Sequence, residues 1–164
     1  MTEIKEQFLT ARGYERSAGE NSLTPSMEDY LEMIYRLSKE NGYTRVNDLA
    51  ECLNVQPPSV TKMVQKLHEK SLLKYEKYGM IHLTGEGEQM GKFFLDRHNV
   101  LKEFLKLLRA TEDLQKDVET MEHYISVQNY QVFSALVAFF KDHPSILSAF
   151  HRYKDQLFKD ADQG

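Results

Sequence analysis

Cysteine is almost missing from this chain: Cys52 is the single one among 164 residues. One thiol excludes an internal disulfide framework and fits a reducing, cytoplasmic setting. Its neighbours in "LAECLNV" are apolar helix positions, so Cys52 reads as core and not as a nucleophile. Long hydrophobic runs are absent too. No stretch reaches the roughly 18 apolar residues of a transmembrane helix, and "MTEIKEQFLTARGYERSAGENS" lacks the apolar segment of a secretory signal. No membrane partner is expected. Repeats and low-complexity tracts are also lacking. Proline is scarce, and the four present sit where helices begin: Pro25, the Pro57-Pro58 pair and Pro144 all suit a first turn, where a missing N–H costs nothing.

Excess positive charge is lacking as well. A net charge of −4 makes the chain a poor non-specific nucleic-acid binder, yet the charge is unevenly placed. From Arg45 to Lys77 the bases Arg45, Lys62, Lys66, Lys70, Lys74 and Lys77 face only Asp48, Glu51, Glu69 and Glu76, whereas acids dominate after Thr111. What is present is a core-forming composition, 41% hydrophobic and 28% charged, enough for one moderately large domain or a small domain with an appendage.

Residues 1–22 show no sustained period and read as a flexible arm. "LTPSMEDYLEMIYRLSKENG" then carries an apolar stripe of Met27, Tyr30, Leu31, Ile34, Tyr35 and Leu37, with Thr24 or Ser26 as cap and Gly42 as terminator. "TRVNDLAECLNV" reads as a second helix with Val46, Leu49, Ala50 and Leu53 inward. The third, from "QPPSVTKMVQKLHEKS", buries Val60, Met63, Val64 and Leu67. "LLKYEKYGMIHLT" alternates as a hairpin turning near Tyr78-Gly79. A long helix over roughly Gly85–Ala110 follows, then three further helices: one up to about Ser126, "NYQVFSALVAFFKDH" and "PSILSAFHRYKDQLF".

Two constellations carry chemistry. The order helix, helix, helix, hairpin, with a polar and basic face on the third helix, is the layout of a winged helix-turn-helix. A helix fits the major groove, and its first turns reach base edges. The candidate DNA-binding residues are Gln56, Pro58, Ser59, Thr61, Lys62 and Lys66 on the third helix, with Lys77 and Tyr78 on the wing and Lys74 beside them. The bland alternative is a small helical domain with solvated polar faces. The second constellation is the spacing of Glu119, Glu122 and His123 in "DVETMEHYIS", which puts two carboxylates and an imidazole on one helical face. Asp29 and Glu32 share a face of the first helix in the same way, and His98 stands in "LDRHNVL". Each is open to a plain reading: acids early in a helix complement its dipole, and isolated charged faces are usually just solvated.

"TPSMEDYLEMIY", "VQPPSVTKMVQKL", "YEKYGMIHLTGEGE", "DRHNVL" and "DVETMEHYIS" together resemble the diphtheria-toxin-repressor family of metal-dependent transcription factors, and most its manganese-responsive branch. The resemblance covers roughly residues 23–140. It implies a mainly α fold with a small β-hairpin wing, in which an N-terminal winged helix-turn-helix is followed by an all-helical dimerisation domain. The corresponding boundaries are an arm at 1–22, a DNA-binding domain at 23–84 and a metal-binding and dimerisation domain at 85–164. Carried onto this sequence, the metal ligands fall on Asp29, Glu32, His98, Glu119, Glu122 and His123. They would hold two Mn2+ per protomer, with Glu32 and Glu122 as bridging carboxylates. Converging carboxylates repel, and divalent cations remove that penalty.

The iron-responsive branch uses sulfur-bearing residues where this chain has Asp29 and Glu119; an oxygen-rich set suits a harder ion. Tyr124 stands where the manganese branch commonly has a second histidine. No residues remain for the SH3-like third domain of the iron-responsive branch. The implied protein is a cytoplasmic, homodimeric manganese-dependent repressor that binds a double-stranded operator, takes no small organic substrate and is not an enzyme. Its dimer is further suggested by Phe133, Leu136, Val137, Phe139 and Phe140 on one late helix. A dinuclear metal hydrolase using the same ligands is the rival class; it would need an open coordination position and a substrate cleft, and it leaves the winged helix unexplained. A third reading is a metal-independent binding module with a vestigial acidic cluster.

Overall fold

Thr24, in extended conformation, opens the first helix. In the computed structural model, which describes residues 22–110 and 113–161, its Oγ1 accepts the Met27 N–H at 3.3 Å, and Pro25 takes the first turn of α1 (Pro25–Ser38). Met27, Tyr30, Leu31 and Ile34 recur on one face and are buried; Tyr35 and Leu37, expected in the same stripe, are half-buried. Gly42, at φ +75, turns the chain after the helix. The expected arm at 1–22 lies outside the described residues apart from Ser22.

The second expected helix is shorter than its sequence pattern. Thr44–Arg45 form β1, and α2 runs only over Val46–Cys52. Thr44 is β-branched and buried, and extending it lets β1 pair with β3 in the register Thr44↔Ile81 and Arg45↔Met80. Cys52 is exposed, which corrects its reading as core. Val46, Leu49 and Ala50 define the buried stripe of α2, and Cys52 lies about a third of a turn off it at 100° per residue.

Asn54, at φ +52, makes the turn into α3 (Pro57–Glu69). Val60, Val64 and Leu67 are fully buried on its inner face, while Met63 is half-buried. β2 (Leu73–Tyr75) and β3 (Met80–Leu83) pair antiparallel through Leu73↔Leu83 and Tyr75↔Ile81, joined by a 3-10 turn at Lys77–Gly79. The sheet order is β1-β3-β2. The expected hairpin is therefore present and gains a third strand.

α4 (Gly85–Leu108) is followed by α5 (Leu114–Met121), a one-turn 3-10 helix at Glu122–Tyr124, α6 (Val127–Asp142) and α7 (Pro144–Ala161). Ser126 caps α6 by accepting the Asn129 N–H. Phe104 meets Phe133 edge-on at 4.8 Å, and Phe93 meets Tyr130 likewise at 5.4 Å, so aromatic pairs pack α4 on α6. α7 returns to the end of α4. His151 Nε2–H donates to the Leu107 carbonyl at 2.6 Å, and Lys154 Nζ donates to those of Leu108 and Arg109 at 2.8 and 2.7 Å. These are the carbonyls a helix C-terminus leaves unsatisfied.

The chain separates into two compact units, one ending at Gly87 and the other starting at Glu88. Among the described residues no helix is long and apolar enough to cross a membrane.

Candidate metal centre and DNA-reading surface

The stretch Asp117–Ser126 is not one continuous α-helix. α5 ends at Met121, and Glu122, His123 and Tyr124 tighten into a 3-10 turn. The change separates side chains that a regular helix would treat alike. Glu119 stays exposed, whereas Glu122 is only 2% exposed. A solvated face therefore does not describe Glu122. From the middle of α4, His98, 4% exposed, meets it with Nδ1 2.8 Å from Glu122 Oε2. With Nδ1–H donating to the carboxylate, the Nε2 lone pair is left for another partner, the arrangement that orients metal-bound histidines. An imidazole and carboxylates without a thiolate fit a hard or borderline divalent cation. His123, half-buried, follows Glu122 on the 3-10 turn.

Glu119 is placed by a residue that the sequence reading missed. Gln115, one turn earlier on α5, donates Nε2–H to Glu119 Oε1 at 2.6 Å and accepts from Lys102 Nζ at 2.8 Å. In the other unit Asp29 and Glu32 both lie on α1, as their spacing requires. Glu32 is buried, and Arg36 one turn later donates from Nε to its Oε1 at 2.9 Å and from Nη2 to the same oxygen. That pairing was legible, since acid and base four apart on a helix meet. It pairs a buried carboxylate with a guanidinium and fixes one of its oxygens.

The outer face of α3 is polar and open. Gln56, Pro58, Ser59, Lys62, Gln65 and Lys66 are exposed, with Val60, Val64 and Leu67 holding the opposite face in the core. Thr61 is half-buried, and its hydroxyl donates back to the Pro57 carbonyl at 3.1 Å, so towards DNA it can only accept. On the wing, Lys74 and Lys77 are exposed and Tyr78 is 90% exposed at the tip with φ +65. A bulky residue in the left-handed region is uncommon; Gly79 shares the sign at φ +74.

The apolar surface of the second unit differs from expectation. Val137 is buried and Phe133 is packed on Phe104, so these serve the protomer's own core. Phe139 remains exposed, joined by Val132 on α6 and by Ile146, Leu157 and Phe158 on α7. So many large apolar side chains on neighbouring helices are a surface suited to association.

Comparison with known proteins agrees with this division. Residues 22–81 match the family described as "Iron dependent repressor, N-terminal DNA binding domain", and residues 84–150 match "Iron dependent repressor, metal binding and dimerisation domain". The "HTH-type transcriptional regulator MntR" of Bacillus velezensis is 47% identical over 123 residues, covering 74% of this chain and 87% of that one. Its namesake in Oceanobacillus iheyensis is 44% identical over 143 residues, or 85% and 93% of the two chains. Among solved structures, "Structure of the manganese regulator SloR" superimposes with a TM-score of 0.61 at 28% identity, over 71% of this chain and 55% of that one. "Crystal Structure of ScaR with bound Zn2+" does so at 0.57 and 28%, over 69% and 54%. The chain spans about half the length of these two solved structures. An N-terminal helix-turn-helix with a wing, a helical unit holding a buried imidazole–carboxylate pair and these matches together make the chain a member of the iron-dependent, or diphtheria-toxin, repressor family of metal-dependent DNA-binding transcriptional regulators, similar to the regulators named MntR.

Proposed function

We propose that this chain is a cytoplasmic, homodimeric repressor of manganese homeostasis that uses Mn2+ as corepressor. The observation that carries the reading is the buried His98–Glu122 pair, 2.8 Å apart, in the unit matched as metal-binding. In this reading residues 23–84 are the DNA-binding domain and 85–164 the metal-binding and dimerisation domain. The ligands are Asp29 and Glu32 from α1, His98 from α4, and Glu119, Glu122 and His123 around the end of α5, enough for two ions per protomer. Manganese is favoured by the carboxylate-rich donor set and by relatives named for manganese regulation. The ions supply positive charge that lets the carboxylates converge. Arg36 holds Glu32, and His98 holds Glu122 in place.

On DNA, Lys62 and Lys66 meet phosphate or guanine, Gln56, Ser59 and Thr61 hydrogen-bond bases or backbone, Pro58 packs at the first turn, and Lys77 and Tyr78 grip from the wing. Metal acts as corepressor only if it prefers the DNA-competent arrangement. The apolar groups exposed on α6 and α7 support pairing with a second copy. The chain is not an enzyme in this reading, and the family match leaves the hydrolase alternative without support.

The test takes chelator-stripped protein and an operator selected from random duplex DNA. Titration calorimetry should give about two Mn2+ per protomer, by the ligand count, and Mn2+ should switch on operator binding. No uptake, uptake unchanged in Glu122→Ala with His123→Ala, or operator binding indifferent to metal would each refute the reading.

A further inference from the structure

We propose that Gln115, held by Lys102, is a positioning residue for Glu119 and sets how that carboxylate meets a divalent ion. The inference rests on the reading of Glu119 as a ligand and adds two residues that no ligand pattern contains. Lys102 lies on α4 one turn after His98, and Gln115 lies on α5 one turn before Glu119. Lys102 Nζ donates to Gln115 Oε1 at 2.8 Å, and Gln115 Nε2–H donates to Glu119 Oε1 at 2.6 Å.

Chemistry fixes the orientation of the amide between them. An ammonium only donates and a carboxylate only accepts, so the Gln115 oxygen faces Lys102 and its nitrogen faces Glu119. The lysine charge polarises the amide and strengthens the N–H···O bond on the far side. An exposed glutamate otherwise samples many rotamers, and ordering it on metal binding costs entropy. Here that ordering is made in advance. One carboxylate oxygen is engaged by Gln115, so Glu119 offers the other and binds through a single oxygen. The relay also ties α4 to α5, the two elements that carry His98 and Glu119.

The experiment is Mn2+ titration of the stripped full chain, followed by calorimetry and by the electron paramagnetic resonance of bound Mn2+. Wild type, Gln115→Leu, Lys102→Met, Lys102→Arg and the Gln115→Leu/Lys102→Met double variant are compared, with thermal melts alongside. Gln115→Leu should weaken one of the two ions about tenfold, the low end for residues that orient a ligand, and change the resonance of that ion while leaving the other ion unaltered. Lys102→Met should weaken the same ion less, Lys102→Arg should restore it, and the double variant should be no worse than Gln115→Leu, because lysine acts through the amide. A Gln115→Leu isotherm superimposable on wild type would overturn the proposal while leaving Glu119 a ligand. Equal weakening of both ions with a lowered melting temperature would also overturn it, as a loss of helix packing. A wild type that takes up no Mn2+ would remove the ligand reading itself, and this proposal with it.

Discussion

Gly87→Ala reverses the usual rule for glycine in a helix. Helix propensity alone makes alanine better by up to about 1 kcal/mol. At this position, in the first turn of α4, a Cβ would lie 1.8 Å from the Leu72 carbonyl oxygen and 2.8 Å from its carbon. An ordinary C···O contact is near 3.3 Å, so the backbone must open by about 1.5 Å. It cannot open cheaply. Leu72 is buried, its oxygen already accepts the Thr84 N–H at 3.1 Å, and Thr84 Oγ1 both caps the Gly87 N–H at 3.2 Å and donates to Ser71 O at 2.9 Å.

Overpacking costs about 1–3 kcal/mol and a lost cap about 1 kcal/mol. After the propensity gain, a net loss of about 1–3 kcal/mol remains, or a fall in Tm of roughly 2–12 °C for a chain of this size. Differential scanning calorimetry and urea unfolding measure it. Gly85→Ala is the control, since a Cβ there meets nothing within 4 Å; it should be neutral or mildly stabilising. A Gly87→Ala protein as stable as wild type would refute the close approach of α4 to the strand side of the wing.

Lys62→Ala should lower operator affinity with Mn2+ uptake intact, and a phosphate contact would show as a salt slope reduced by about one; equal affinity at matched salt would move the reading face off α3. Asp29→Met should weaken activation by Mn2+ and let Co2+ activate comparatively better, measured as operator binding against free metal under anaerobic conditions, because a thioether replaces a hard anion; superimposable curves would remove Asp29 from the ligand set. Burial raises the phenol pKa of Tyr30 above its ordinary 10.0, and burial with the Asp96 charge raises that of Tyr130. The unfolded phenols ionise first, so their contribution is complete below about pH 10 and is lost as pH rises through the folded values; Tyr130→Phe should flatten the alkaline fall in urea midpoint, and an unchanged fall would refute the assignment.

The long helices were legible because independent signals coincide on them. For α3 the Pro57-Pro58 start, the Val60, Val64, Leu67 period and the exposed lysines all give one answer. β1 was not legible: two residues carry no period, and its existence depends on the open side of β3, far along the chain. Cys52 was misread because its neighbours are apolar while its own angle on α2 points away from them. The break after Met121 has no glycine or proline to announce it, so the sequence presents Glu119 and Glu122 as equivalent when one is exposed and the other buried. Lys102 and Gln115 stand thirteen positions apart on different helices, and no local spacing encodes their meeting.

Burial is what sets Glu122 apart from a carboxylate on a solvated face. A carboxylate on a solvated face costs nothing and says nothing about function. A carboxylate taken out of water costs several kcal/mol before any partner is counted, and a buried ionic pair commonly fails to recover that against apolar side chains of equal volume. His98 and Glu122 lie in a unit whose buried side chains include Phe94, Leu101 and Val118. In the proposed reading a third group with positive charge offsets the cost of burying the pair. A divalent ion bound to the folded state alone returns about 2.7 kcal/mol at a hundredfold excess over its Kd, comparable to the burial cost. In the proposed reading the ion completes this unit, which is the coupling of structure to metal supply that a metal-dependent repressor requires.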